Sequence, residues 1–170
     1  MKHFLSVLFI LANLLCRSAA ANEKSMNELT IKIKEISPSG IVSVEVGNNS
    51  TKPIRIWKES NSWGAARWRV LVIRNGQLQT YFQNPDQGFT RNVPGFDEIA
   101  AGGHIDKKLD LNGGNWRGLD HAKIGFEPGD TVIVIYDVPK QFGWSETSVA
   151  VETSKMGVWC GVAAASTTAQ

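Results

Sequence analysis

Apolar side chains recur at every second position over long stretches of this chain, and that period decides what backbone it can adopt. Leu29, Ile31 and Ile33 alternate with Thr30, Lys32 and Lys34, and Val42, Val44 and Val46 alternate with Ser43 and Glu45. Successive side chains of a strand point to opposite faces, so this alternation reads as strands with one face buried. The breaks between runs carry turn residues: Ser37-Pro38-Ser39-Gly40, then Gly47 to Thr51, then Asn75-Gly76. Asn-Gly is the strongest short hairpin signal, because both positions tolerate positive φ.

Further strands follow from the same reading. Pro53 to Trp57 opens one, and Arg67 to Arg74 reads as a strand covered on both faces. Gln77 to Phe82 is its return strand. The polar stretch from Asn84 to Pro94 is expected to be loop. His104 to Leu111 alternates again and is charged enough for a sheet edge. Pro128-Gly129-Asp130 turns the chain into its most apolar run, Thr131 to Tyr136. Ser148 to Glu152 and Val158 to Ala164 supply the last two strands. Helical spacing occurs only in short segments. The expected fold class is all-β: a single antiparallel β-sandwich, immunoglobulin-like, of about eight or nine strands.

The N-terminus reads as a secretory leader. Lys2 supplies a positive start, Phe4 to Leu15 form a short apolar run, and Ser18-Ala19-Ala20-Ala21 offers a small-residue cleavage site. Lipidation at Cys16 is disfavoured, since Leu15 occupies the position where acylation wants a small residue. The expected organisation is a signal peptide over 1–21, a flexible stretch over 22–27, the β domain over 28–165 and a disordered tail over 166–170. The product is expected to be secreted or periplasmic, and not an integral membrane protein once the leader is removed.

Lys2 and Arg17 leave with the leader and no acid does, so sixteen basic residues face sixteen acidic ones in the remainder. A polyanion binder shows a basic stripe, and this balance gives no reason to expect nucleic acid as a partner. Cys160 is then the remaining cysteine, so stability is expected to rest on an apolar core without an intramolecular disulfide. Flanked by Trp159 and Gly161 on an apolar strand, Cys160 reads as a buried small hydrophobe.

The order of strands and turns resembles an immunoglobulin-like or fibronectin-type sandwich. Three stretches are similar to ones in uncharacterised secreted bacterial proteins: Asn61-Ser62-Trp63-Gly64, Phe89-Thr90-Arg91-Asn92 and Val158-Trp159-Cys160-Gly161. The resemblance implies the fold and bacterial export, and it implies no activity. The pair of core cysteines around a tryptophan that marks antibody-type domains is missing.

Catalytic constellations are weak. The domain carries His104 and His121, with no Gly-x-Ser-x-Gly elbow. The best nucleophilic set is Cys160 with His121 and Asp120, and no spacing brings them together. No Cys-x-x-Cys or His-x-x-x-His pair points to a metal, and the acids Asp97, Glu98, Asp106 and Asp110 read as a solvated face rather than a calcium site. The expectation is a non-enzyme without cofactor or metal. Asn48 and Asn49 both satisfy the glycosylation acceptor pattern, with Ser50 and Thr51 two residues on.

Tryptophan is the positive signal. Trp57, Trp68 and Trp159 sit in strand patterns and read as core, whereas Trp63, Trp116 and Trp144 lie among Ser, Gly, Asn and Arg. Loop indoles are candidate anchors for a protein or a sugar. The expected ligand-binding residues are Trp63, Arg91, Trp116, Arg117 and Trp144, in a binding domain for an unknown protein or glycan. Three alternatives stand beside it: a carbohydrate-binding module, a protease or lysozyme inhibitor using the loop from Gln83 to Pro94, and a hydrolase using Cys160 or a carboxylate pair. The competing structural reading is that the loop indoles plug the ends of the sandwich.

Overall fold

The computed structural model describes residues 28–61, 63–64, 67–83, 94–113, 116–118, 124–142 and 151–170. The strands are β1 (Leu29–Ser37), β2 (Ile41–Asn48), β3 (Ile54–Trp57), β4 (Trp68–Arg74), β5 (Gln77–Gln83), β6 (Phe96–Ile99) and β7 (His104–Asp110). They continue with β8 (Trp116–Arg117), β9 (Thr131–Val138), β10 (Gln141–Phe142), β11 (Val151–Glu152) and β12 (Gly161–Thr168). A 3-10 turn, Thr153–Met156, precedes β12. The chain is all-β, and the paired strands of its sheets run antiparallel. No helix among the described residues is long and apolar enough to cross a membrane.

The larger sheet has the order β12-β9-β4-β5-β8, and a three-stranded sheet has the order β1-β2-β7. Two small sheets, β3-β6 and β10-β11, complete the set. The β4–β5 hairpin turns at Asn75 (φ 51°) and Gly76 (φ 74°), the doubly left-handed turn that Asn-Gly favours. Inward faces of both larger sheets enter one core. Val42, Val44 and Val46 come from β2, Val70 and Val72 from β4, and Val132, Val134 and Tyr136 from β9. Trp68, fully buried, lies against Tyr136 with ring centroids 4.7 Å apart. The Tyr136 hydroxyl accepts a hydrogen bond from the Trp57 backbone N–H at 3.0 Å, which ties β3 to β9. Burial pushes the Tyr136 phenol well above its ordinary range, so this acceptor stays neutral.

A charged anchor fixes the far end of the larger sheet. Arg74 grips Asp130 through two hydrogen bonds, Nε to Oδ1 at 2.9 Å and Nη2 to Oδ2 at 2.6 Å. The same guanidinium donates to Glu127 and to the Gly125 carbonyl. Asp130 is buried, and the Arg74 guanidinium holds its carboxyl below the usual carboxylate range.

The chain differs from the sequence expectation in several places: β6, β8 and β10 are strands where none was expected, and β8 pairs Trp116 and Arg117, which read as loop, with β5. Residues 166–168 form strand rather than a disordered tail: Ser166, Thr167 and Thr168 pair with Ile133, Val132 and Thr131. The end is locked by Ala169, whose N–H donates to the Asp130 carbonyl and whose carbonyl accepts from Gly129 N–H. Polar Ser and Thr read as a tail, yet Thr is β-branched and suits a strand whose backbone is paired. Cys160 lies just ahead of β12 rather than within a strand, and it is half-buried. Val158, expected to start that strand, makes an isolated parallel bridge to Arg55.

Candidate functional site

One cleft of the described surface, about 320 Å³, is lined by an indole beside charged and polar groups: Glu59, Ser60, Gln83, Lys108, Asp110, Gly113 and Trp116. Its aromatic wall is set by a local turn. At the end of β7 the Asp110 carboxylate accepts from the N–H groups of Asn112 and Gly113, both at 3.1 Å, which bends the chain back. The Gly113 carbonyl then accepts from Trp116 N–H at 3.0 Å and starts β8. Gly113 suits this turn because a Cβ there would sit 3.0 Å from the Asp110 carbonyl oxygen. Trp116 pairs with Gln83 across the β5–β8 ladder, and its half-buried indole packs against the core.

The polar wall is a chain of contacts. Gln83, buried, donates from Nε2 to the Glu59 carboxylate at 2.9 Å. The other Glu59 oxygen lies 3.8 Å from Lys107 Nζ, which bonds Asp97 at 2.6 Å. Lys58 stands 3.8 Å from the second Asp97 oxygen. An indole beside carboxylate, amide and hydroxyl groups can stack on a sugar ring and bond its hydroxyls. The mixed charge suits a neutral polar ligand better than a polyanion.

The residues expected from sequence fall into different places. Trp116 lines the cleft. Arg117 is exposed, but strand alternation turns it to the opposite face, so Trp116 and Arg117 do not share one contact surface. Trp63 is half-buried and stacks on core Trp57 at 5.6 Å, in a crevice that shares no lining residue with the Trp116 cleft. Its neighbourhood matches the structural reading of a plugging indole. Arg91 and Trp144 lie outside the described residues, as do residues 84–93 of the proposed inhibitor loop. Gln83 itself ends β5 and is buried.

The chemistry weighed as alternatives can be placed in the same way. Cys160 donates a weak S–H bond to the Val158 carbonyl at 3.4 Å. Burial raises its thiol, with Lys140 opposing, so Cys160 is less thiolate than a free cysteine and the reverse of an activated nucleophile. His121 and Asp120 lie outside the described residues. The acids considered for calcium go to separate tasks: Asp97 to Lys107, Glu98 to Arg55, Asp106 to Lys34 and Asp110 to its turn. Among the described residues no group of three His, Cys, Asp or Glu side chains could hold a metal ion.

The two acceptor asparagines separate sharply. Asn48 is buried, and its Nδ2 donates toward the carbonyls of Lys52, Ile99 and Ala100. Its Oδ1 accepts from Ser50 N–H and Oγ. Attaching a glycan to Asn48 would remove a knot that joins β2 to the end of β6, whereas Asn49 is exposed.

No protein-family model matches the chain, and neither a curated protein nor a solved structure matches it. The function must therefore be argued from the cleft. Glu59, Gln83 and Lys108 are not grouped by the sequence, where Gln83 reads as the start of a loop and Lys108 as part of an edge strand, because only the strand pairing brings their separate segments together.

Proposed function

We propose that this chain is a non-catalytic, exported binding domain, built as an immunoglobulin-like sandwich from the two larger sheets. Its contact site is the cleft headed by Trp116. The observation that carries this reading is the half-buried indole set beside Glu59, Gln83 and Asp110 in one open cleft. Of the partners considered from sequence, a glycan fits that chemistry best. The indole face supplies apolar contact, and the surrounding carboxylates and amide accept or donate to ring hydroxyls. The leader-like pattern of Lys2, the apolar run Phe4 to Leu15 and Ser18-Ala19-Ala20-Ala21 supports export to a periplasm or beyond.

A glycan panel with tryptophan fluorescence as readout tests the site. The wild-type chain should respond to at least one polysaccharide. Trp116→Ala and Glu59→Gln should keep the far-ultraviolet spectrum of the fold and bind at least tenfold more weakly. Silence of the folded wild type across the panel rejects the glycan, and equal binding by both variants rejects the cleft.

A further inference from the structure

A sheet that buries one face and wets the other alternates apolar and polar residues along every strand. The larger sheet breaks that rule. Inward positions of β4 and β9 are Trp68, Val70 and Val72 and Val132, Val134 and Tyr136. Of the residues that alternate with them and point outward, Arg69 and Asp137 are charged and pair with each other, yet Leu71 and Ile73 on β4 and Ile133 and Ile135 on β9 are apolar too. Strand pairing aligns them: Leu71 lies opposite Ile133 on one side and Thr80 on the other, and Ile73 lies opposite Leu78. Phe82 on β5 and Val162 on β12 extend the patch, and Val162 is the exposed large apolar side chain of the described surface. Leu71, Ile73, Leu78, Phe82 and Ile133 are half-buried, and Ile135, though buried, stands outside the core cluster.

We propose that this outward face is a self-association interface, covered by a second copy of the chain stacked sheet on sheet. The first argument is area. The thirty-two residues of β12, β9, β4, β5 and β8, at about 3.3 Å per residue and about 4.8 Å per strand, project to roughly 500 Å². A pleated face has more accessible surface than its projection, which brings it near the roughly 800 Å² per partner of a stable complex. The second argument is charge. Exposed Arg117 marks the β8 edge and carries no ion pair among the described residues, while Asp137 lies toward the opposite edge on β9. Asp137 pairs with Arg69 at 3.5 Å and lies in the field of the Arg67 guanidinium. A two-fold axis along the strands lays the β8 edge of each copy over the β9–β12 side of the other. Each Arg117 then approaches the Asp137 of the second copy, and the apolar rows meet between them.

Sedimentation velocity of the purified full chain across a concentration series tests the proposal. The wild type should sediment as a dimer, and Leu71→Glu as a monomer with an unchanged far-ultraviolet spectrum. Should Leu71→Glu fail to fold, the edge charges decide. Arg117→Asp and Asp137→Arg should each weaken dimerisation about fivefold, and the double exchange should restore it. A wild type that stays monomeric at about 100 μM, or a Leu71→Glu dimer as tight as wild type, overturns the proposal. So does a double exchange that is no tighter than either single change.

Discussion

On β2 the residues turned away from the core are Ile41, Ser43, Glu45 and Gly47; on β4 they are Arg69, Leu71 and Ile73. Across from β2, β7 adds Asp106 and Lys108 to the same outward side, and β1 adds Lys32. The three-stranded sheet thus follows the rule of one dry and one wet face, and the five-stranded sheet does not. The difference separates two uses of the same period. Alternation between apolar and polar residues tells a strand where water is. Loss of alternation in a paired, antiparallel strand is the pattern of a strand whose second face is built for contact as well. Both sheets share one core, so the contrast lies outside it.

The largest effect should come from the inner face, where the comparison predicts no special role for either outer surface. Trp68 is fully buried against Tyr136. Trp68→Ala should cost about 3–5 kcal/mol in urea unfolding, the range for deleting a large buried aromatic. Trp68→Phe should cost less, since it keeps a ring and removes an indole N–H that has no acceptor among the described residues. A loss under about 1 kcal/mol for Trp68→Ala would show that the two sheets do not share the packed core described above.

Second in size is the anchor at the end of the five-stranded sheet. Asp130→Ala strands Arg74 beside Glu127 and should destabilise by about 2–3 kcal/mol, below the full value for a buried pair because Arg74 keeps some water contact. The pH dependence has a definite sign. The folded-state value of Asp130 is depressed by Arg74, so its stabilisation is present above the ordinary carboxylate range and is lost as pH falls through the depressed value. Urea midpoints of wild type should therefore drop on acidification below about pH 4 more steeply than those of Asp130→Asn. Parallel acid curves would deny the pair its role.

These anchors show what the sequence made legible. The longer strands β1, β2, β4, β5, β7 and β9, the Asn75-Gly76 hairpin, the edge position of β7 and the core role of Trp57, Trp68 and Trp159 follow from period and turn chemistry, which act over a few residues, whereas the short strands β6, β8 and β10 carry no such signal. Partners far apart in the chain do not. Asp130 meets Arg74 across fifty-six positions, and Gln83 meets Glu59 across twenty-four. The same limit explains the tryptophans. Trp63 and Trp116 share a polar sequence context, yet one stacks on Trp57 and the other walls a cleft, because strand pairing and not local composition chooses their neighbours. The apolar outward face was legible in part: Arg67 to Arg74 already read as covered on both sides, without showing by what.

A third, smaller effect sharpens the contrast between the outer faces. If a second copy covers the five-stranded sheet, the thermal midpoint should rise with protein concentration, by about 1 kcal/mol of added stability per tenfold. Leu71→Ser should remove that dependence while changing the dilute-limit midpoint little. Ser43→Ala on the outward face of the three-stranded sheet should leave the dependence intact. Concentration-independent melting of wild type would erase the distinction between the two surfaces.

The smallest effect is the most discriminating, because it sets the same chemistry on the other sheet. Lys34 Nζ lies 3.1 Å from Asp106 on the outward side of β1 and β7, as Arg74 lies 2.6 Å from Asp130. The Asp106 hydrogen bond raises the Lys34 ammonium above its ordinary value, so any stabilisation would be full at neutral pH and vanish as pH rises through the lysine range. The surroundings cancel it. Lys34 and Asp106 are 43% and 65% exposed, whereas the Asp130 side chain is 2% exposed. Water solvates both exposed charges when the pair opens, and salt screens what attraction is left. Asp106→Ala should then unfold at the wild-type urea concentration, at neutral and alkaline pH and in low and high salt alike. A salt-sensitive loss approaching that of Asp130→Ala would mean that the outward side of the three-stranded sheet is also shielded from water, and the comparison between the sheets would fail.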